Sequence, residues 1–138
     1  MRYLALLAAL LVAASAASSL AADASICNAG TEISYFPDGT LRSCAIRDFY
    51  YVGGLKCNQF SNIEFNPDGK LRSCVAGDPF VIGPITCAQL GVVMYYPSGA
   101  FMGCTLASTA IIEGTTCDQL QPISFYENGK LKSCGAPR

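Results

Sequence analysis

Apolar residues fall at every second place in four short stretches, and the stretches lie thirty residues apart. Ile33, Ile63, Val93 and Ile123 are followed two places on by Tyr35, Phe65, Tyr95 and Phe125. That alternation predicts a strand with one buried face. Next come Pro37-Asp38-Gly39, Pro67-Asp68-Gly69, Pro97-Ser98-Gly99 and Glu127-Asn128-Gly129. Proline presets the first dihedral of a turn, Asp, Ser or Asn caps it locally, and glycine accepts positive φ. A type I turn closed by a glycine bulge is therefore expected. The chain returns through Leu41, Leu71, Phe101 and Leu131, so the pattern is a β-hairpin written four times. If Phe36 opposes Thr40, Tyr35 faces Leu41 and Ser34 faces Arg42. The equivalent outer pairs are Glu64 with Arg72, Met94 with Met102 and Ser124 with Lys132, whose characters change together as cross-strand neighbours do.

Between hairpins run AIRDFYYVGGLK, VAGDPFVIGPIT and TLASTAIIEGTT. Each holds an apolar cluster (Tyr50-Tyr51-Val52, Phe80-Val81-Ile82, Ala110-Ile111-Ile112) ahead of a glycine, which predicts a third strand and then a turn. No stretch after the N-terminal segment has sustained helical periodicity. The expected fold is all-β: a tandem hairpin or meander array, a single sheet of solenoid type, with a closed barrel or ring as the alternative.

Cysteines sharpen this picture. They stand at 27, 57, 87 and 117 and again at 44, 74, 104 and 134, both series stepping by thirty without insertion. The repeat units are therefore 27–56, 57–86, 87–116 and a shortened 117–138, each burying its apolar face against neighbours. Eight cysteines allow 105 connectivities. Pairing inside each unit (Cys27 with Cys44, Cys57 with Cys74, Cys87 with Cys104, Cys117 with Cys134) leaves no orphan. Pairing across the linkers strands Cys27 and Cys134, which would then meet only in a closed ring. A bridge closing a loop of this length contributes roughly 3 kcal/mol, a large share for a stack of hairpins that cannot stand singly.

The N-terminus reads differently. After Arg2 no charged residue occurs until Asp23, and the run is mostly Leu and Ala. A positive start, an apolar stretch and the small-residue exit Ala22-Asp23-Ala24 make residues 1–24 a signal peptide with a signal helix; a cut after Ala21, with Ser19 at the minus-three place, is the second option. A retained anchor is the competing reading of some 20 apolar residues, but no basic stop-transfer cluster follows, and Ser25-Ile26 before Cys27 makes a poor lipid-attachment box. Removing 1–24 takes Arg2 from nine basic residues and Asp23 from ten acidic ones, leaving eight against nine. This is no footprint for nucleic acid or for an anionic membrane. The expected location is outside the cell or in the periplasm and cell envelope, without stable membrane insertion after cleavage.

Catalysis is not expected. Histidine is absent, which removes His-based triads, His-ligated metals and the usual general base. The cysteines lack a C-x-x-C spacing, Ser98 and Asn128 interrupt any series of turn aspartates that could hold calcium, and no phosphate loop occurs. No cofactor or metal is implied, and none of the acidic residues recurs as a suggestive catalytic pair.

The hairpins at 33–44, 63–74, 93–104 and 123–134, with their PDGKLRSC and ENGKLKSC turns, resemble MORN-type repeats and their bacterial variants. The 30-residue period, the paired cysteines and the lack of Trp set this chain apart from the common form. The resemblance implies stacked hairpins in an elongated sheet and an interaction or scaffolding role, with no catalytic residues to carry over. Two surfaces stand out. Unit 3 replaces the Asp, Lys and Arg of its neighbours by Ser98, Ala100 and Met102, so that Met94, Tyr96 and Met102 form an apolar patch able to bind a partner or a second copy. Arg42, Arg72 and Lys132 should project from one face as a basic row. The expected function is an exported, non-catalytic, disulfide-stapled module binding a protein or glycan at the cell surface or envelope; the alternative is a small secreted inhibitor or effector of another protein.

Overall fold

The structure, a computed structural model, describes residues 22–137. The signal helix expected over the N-terminal segment lies outside those residues, apart from its last few positions. The first unit gives β1 (Ser34–Tyr35), β2 (Leu41–Ala45), β3 (Tyr50–Val52) and β4 (Leu55–Cys57). The second gives β5 (Asn62–Phe65), β6 (Leu71–Val75), β7 (Phe80–Ile82) and β8 (Ile85–Cys87). The third gives β9 (Val92–Tyr95), β10 (Phe101–Thr105), β11 (Ala110–Ile112) and β12 (Thr115–Cys117), and the fourth β13 (Pro122–Phe125) and β14 (Leu131–Cys134). A 3-10 turn, Ala24–Ile26, precedes them. Among the described residues there is no α-helix.

The eight hairpin strands form one antiparallel meander in the order β1-β2-β5-β6-β9-β10-β13-β14. The sheet is open, with β1 and β14 at its edges; the ring alternative is excluded because these two strands do not pair with each other. The turns are those the sequence predicts. Phe36 N–H donates to the Thr40 carbonyl at 2.8 Å and Gly39 N–H to the Phe36 carbonyl at 2.9 Å. Asp38 caps the turn through the Thr40 N–H at 2.9 Å, and Gly39 takes φ 87°.

The expected register holds for one pair and then slips. Tyr35 faces Leu41, but Ser34 faces Ser43. Likewise Glu64 faces Ser73, Met94 faces Gly103 and Ser124 faces Ser133. Arg42, Arg72, Met102 and Lys132 are thus each the extra residue of a β-bulge, which puts two residues against one and sharpens the twist. The pairs read from the sequence as Ser34–Arg42, Glu64–Arg72, Met94–Met102 and Ser124–Lys132 are corrected accordingly. Glu64 nonetheless keeps both partners: Arg72 Nε lies 4.0 Å from its carboxylate, and Ser73 Oγ donates to it at 3.3 Å.

The linkers hold more than the expected third strand. β3, β7 and β11 each turn back at once into β4, β8 and β12, so that three small hairpins form a second layer. Each hairpin leans over the strands of the following unit. The Tyr50 and Phe65 rings meet edge-on at 6.3 Å, and Glu113, in the turn after β11, accepts the Leu131 N–H of β14 at 3.2 Å.

The disulfides join Cys27 to Cys44, Cys57 to Cys74, Cys87 to Cys104 and Cys117 to Cys134. The last three rivet the closing strand of a small hairpin to the main sheet. These three bridges therefore cross between layers, and no free cysteine remains among the described residues. Leu55, Ile63, Leu71, Ile85, Val93 and Ile123 are buried between the layers with these bridges. Each such side chain contributes about 1.5–3 kcal/mol on leaving water.

Candidate functional site

One face of the sheet is covered by hairpins and bridges; the other has no protein layer over it among the described residues. The register places its side chains in rows. Ser34, Ser43, Glu64, Ser73, Met94, Gly103, Ser124 and Ser133 are successive partners across all eight strands. Most are small or hydroxylic, which leaves a low, flat strip. Beside it runs a taller band. Two residues after position 34 the alternation returns to this face with Phe36, Asn66, Tyr96 and Tyr126, and between them stand the bulge residues Arg42, Arg72, Met102 and Lys132.

The band is organised. The Arg42 guanidinium lies 5.5 Å from the Phe36 ring centre and the Lys132 ammonium 5.9 Å from that of Tyr126, distances at which a cation is held over an aromatic face. Tyr96 donates its hydroxyl to the Phe125 carbonyl at 2.7 Å, tying unit 3 to unit 4. Asn66 is buried, and its Nδ2 has no hydrogen-bond partner. An amide donor left in that state costs roughly 1–3 kcal/mol unless something bonds to it. The six residues singled out from the sequence thus lie on one face: Met94 in the strip, and Arg42, Arg72, Tyr96, Met102 and Lys132 in the band. Met94 is 38% exposed and Val92 beside it 46%, so no loop covers the apolar patch of unit 3.

Sequence reasoning missed two ladders elsewhere. Tyr51, Val81 and Ile111, at the centres of β3, β7 and β11, are exposed at the same place in three units. Phe60, Leu90 and Leu120, just after each small hairpin, are also exposed and take φ of 60°, 66° and 61°. Bulky residues avoid this left-handed region, and Gly30 occupies the same place in unit 1 with φ 79°. That glycine was the available signal in the sequence. Gln59, Gln89 and Gln119 precede the three strained residues.

Two clefts open between the layers at the turn end of the sheet. One, of about 340 Å³, is lined by Ala22, Tyr50, Phe65, Leu71 and Tyr95. The other, of about 180 Å³, lies one unit further on and is lined by Ile82, Ile85, Phe101 and Phe125. Both are apolar gaps between a small hairpin and the sheet. Burial pushes the Tyr95 phenol above its ordinary value. The Thr40 hydroxyl, and then its N–H, hold the exposed Asp38 carboxyl below its usual value. Among the described residues, no group of three or more acidic, cysteine or histidine side chains is placed to hold a metal ion. No described helix is long and apolar enough to cross a membrane.

The comparisons agree with the hairpin resemblance. Residues 123–135, which span β13, its turn and β14, match the family described as MORN repeat variant. No curated protein and no solved structure matches the chain.

Proposed function

We propose that this protein is an exported, non-catalytic repeat module that binds a surface or envelope glycan across the bare face of its sheet. The observation that carries the reading is the band itself. Cations held over aromatic rings in units 1 and 4 lie on an open face beside a strip of small and hydroxylic residues that crosses all four units. Aromatic faces suit the C–H surfaces of sugars, and Arg and Lys suit carboxylate or sulfate groups on them. Four disulfides belong to an oxidising compartment, which supports export.

The experiment is co-sedimentation of the exported protein with insoluble cell-wall material and with acidic and neutral polysaccharides. Binding to acidic glycan, weakened at least tenfold by Arg42→Ser with Lys132→Ser, is the expected result. Unchanged binding in that variant would remove the band from the account.

A second reading, a secreted inhibitor or effector acting on another protein, is favoured by the ladder of Phe60, Leu90 and Leu120. The left-handed backbone lets the N–H of Phe60, Leu90 and Leu120 donate to the Ile46, Ala76 and Leu106 carbonyls. Glycine would serve that bond as well, yet the exposed apolar side chains are left in a row. Such strain collects at functional positions. Capture of one soluble protein, lost on Leu90→Asp and indifferent to Arg42→Ser, would select this reading over the first.

A further inference from the structure

Residues 22–28 do in unit 1 what the closing strand of a small hairpin does in the later units. The Arg47 N–H donates to the Ile26 carbonyl at 2.9 Å, as Gly77 does to Lys56 at 2.7 Å and Ala107 to Thr86 at 2.8 Å. The Asn28 N–H donates to the Ala45 carbonyl at 2.7 Å, as Asn58 does to Val75 and Ala88 to Thr105, each at 2.7 Å. Cys27 bridges to Ile46 as Cys57 does to Ala76 and Cys87 to Leu106. Among the described residues no small hairpin precedes the first unit, and this segment covers the sheet there as a terminal cap does.

The segment depends on Asp23 and Ala24. Asp23 Oδ1 accepts the Ser25 N–H at 2.8 Å, its carbonyl accepts Ile26 N–H at 3.3 Å, and the Ala24 carbonyl accepts Cys27 N–H at 3.1 Å. The Ser25 hydrogen bonds hold the Asp23 carboxyl below its ordinary value, as befits a capping group that works ionised. Ala22, Ala24 and Ile26 all pack against the core. A cut after Ala24 would delete the cap and both carbonyls, and with them the packing of Ala22 and Ala24 against the core.

From this we infer that the leader is removed after Ala21, so that the mature chain begins at Ala22. Ser19 and Ala21 give the small residues that the processing enzyme reads at minus three and minus one. Cleavage hydrolyses the Ala21–Ala22 peptide bond. Water supplies the hydroxyl of the new Ala21 carboxylate and the proton of the new Ala22 amine, which becomes an ammonium at the rim of the larger cleft. The inference rests on the export reading and narrows it.

The test is N-terminal sequencing with intact mass on protein recovered outside the cell, expressed as the full chain. Ala22 as first residue is expected. Exported protein starting at Ser25, or at any other residue, would overturn the inference and leave export standing. Protein retained in the cells with Met1 in place would overturn both. A second measurement compares Asp23→Ala with the parent. The same Ala22 start with a lowered melting temperature is expected, and an unchanged melting temperature would contradict the capping role given to Asp23.

Discussion

Units 2 and 3 share a backbone and differ in what they show. Both have the same turn, the same bulge position and the same bridge, and both carry a small hairpin over the next unit. On the bare face unit 2 presents Glu64, Ser73 and Arg72 as a small polar network. Unit 3 presents Met94, Gly103 and Met102 at the same places. The repeated phrase therefore fixes geometry, through alternation, turn and cysteine, and leaves this face free to vary. Chemistry that differs between units on a constant frame is where recognition has room to operate.

The largest expected effect tests the constant part. Replacing Cys57 and Cys74, or Cys87 and Cys104, by alanine should cost about 3 kcal/mol in either unit, because both loops have a sequence separation of 17. Denaturant unfolding under non-reducing conditions reads this. Unequal losses would mean that the two units are not equivalent scaffolds.

The next effect sharpens the difference. Gly103 is buried, and a Cβ there would collide with the Ile123 carbonyl oxygen, whereas unit 2 accommodates Ser73 at the equivalent place. Gly103→Ser, which copies unit 2 into unit 3, should therefore destabilise by about 1–3 kcal/mol through overpacking at the seam with unit 4. A neutral result in thermal unfolding would show that the seams are interchangeable.

A gain is expected at the strained ladder. Leu90→Gly, which copies Gly30 into unit 3, should stabilise by about 0.5–1 kcal/mol, the left-handed penalty less the chain entropy that glycine adds. The same change at Phe60 tests unit 2. Loss of stability at either place would mean that the side chain packs usefully after all.

The smallest effect concerns the turns. The Asp38 carboxyl is depressed in the folded state, so its contribution is present above the unfolded value and is lost as pH falls through the folded one. A slight destabilisation on acidification below about pH 4 is expected from this group, removed by Asp38→Asn. An acid titration of the melting temperature for the two forms checks it.

Hairpins, turns and bridges were legible because each rests on a short-range rule: period two for strands, Pro-Asp-Gly for turns, an even cysteine step for pairing. The bulges at Arg42, Arg72, Met102 and Lys132 were not, since a one-residue slip depends on backbone hydrogen bonding that no side-chain type announces. β4, β8 and β12 were missed because each ends on the cysteine that opens the next unit, so dividing the repeat there cuts the strand. The bare face could be guessed at as a basic row and an apolar patch. That both would join Phe36, Asn66 and Tyr126 in one band needed the sheet.

The sheet is riveted to one layer of hairpins, and its other face is left open. The most direct test is a non-reducing disulfide map of the native protein, digested with trypsin, chymotrypsin and a glutamate-specific protease. Cuts at Arg42, Arg47 and Lys56 separate the first three cysteines, and cuts at Phe80, Tyr95 and Glu113 separate those from Cys74 to Cys117. The prediction is four linked pairs: Cys27 with Cys44, Cys57 with Cys74, Cys87 with Cys104 and Cys117 with Cys134. Bridges across the linkers, such as Cys44 with Cys57, would contradict the two-layer arrangement, and free thiols throughout would contradict export as well.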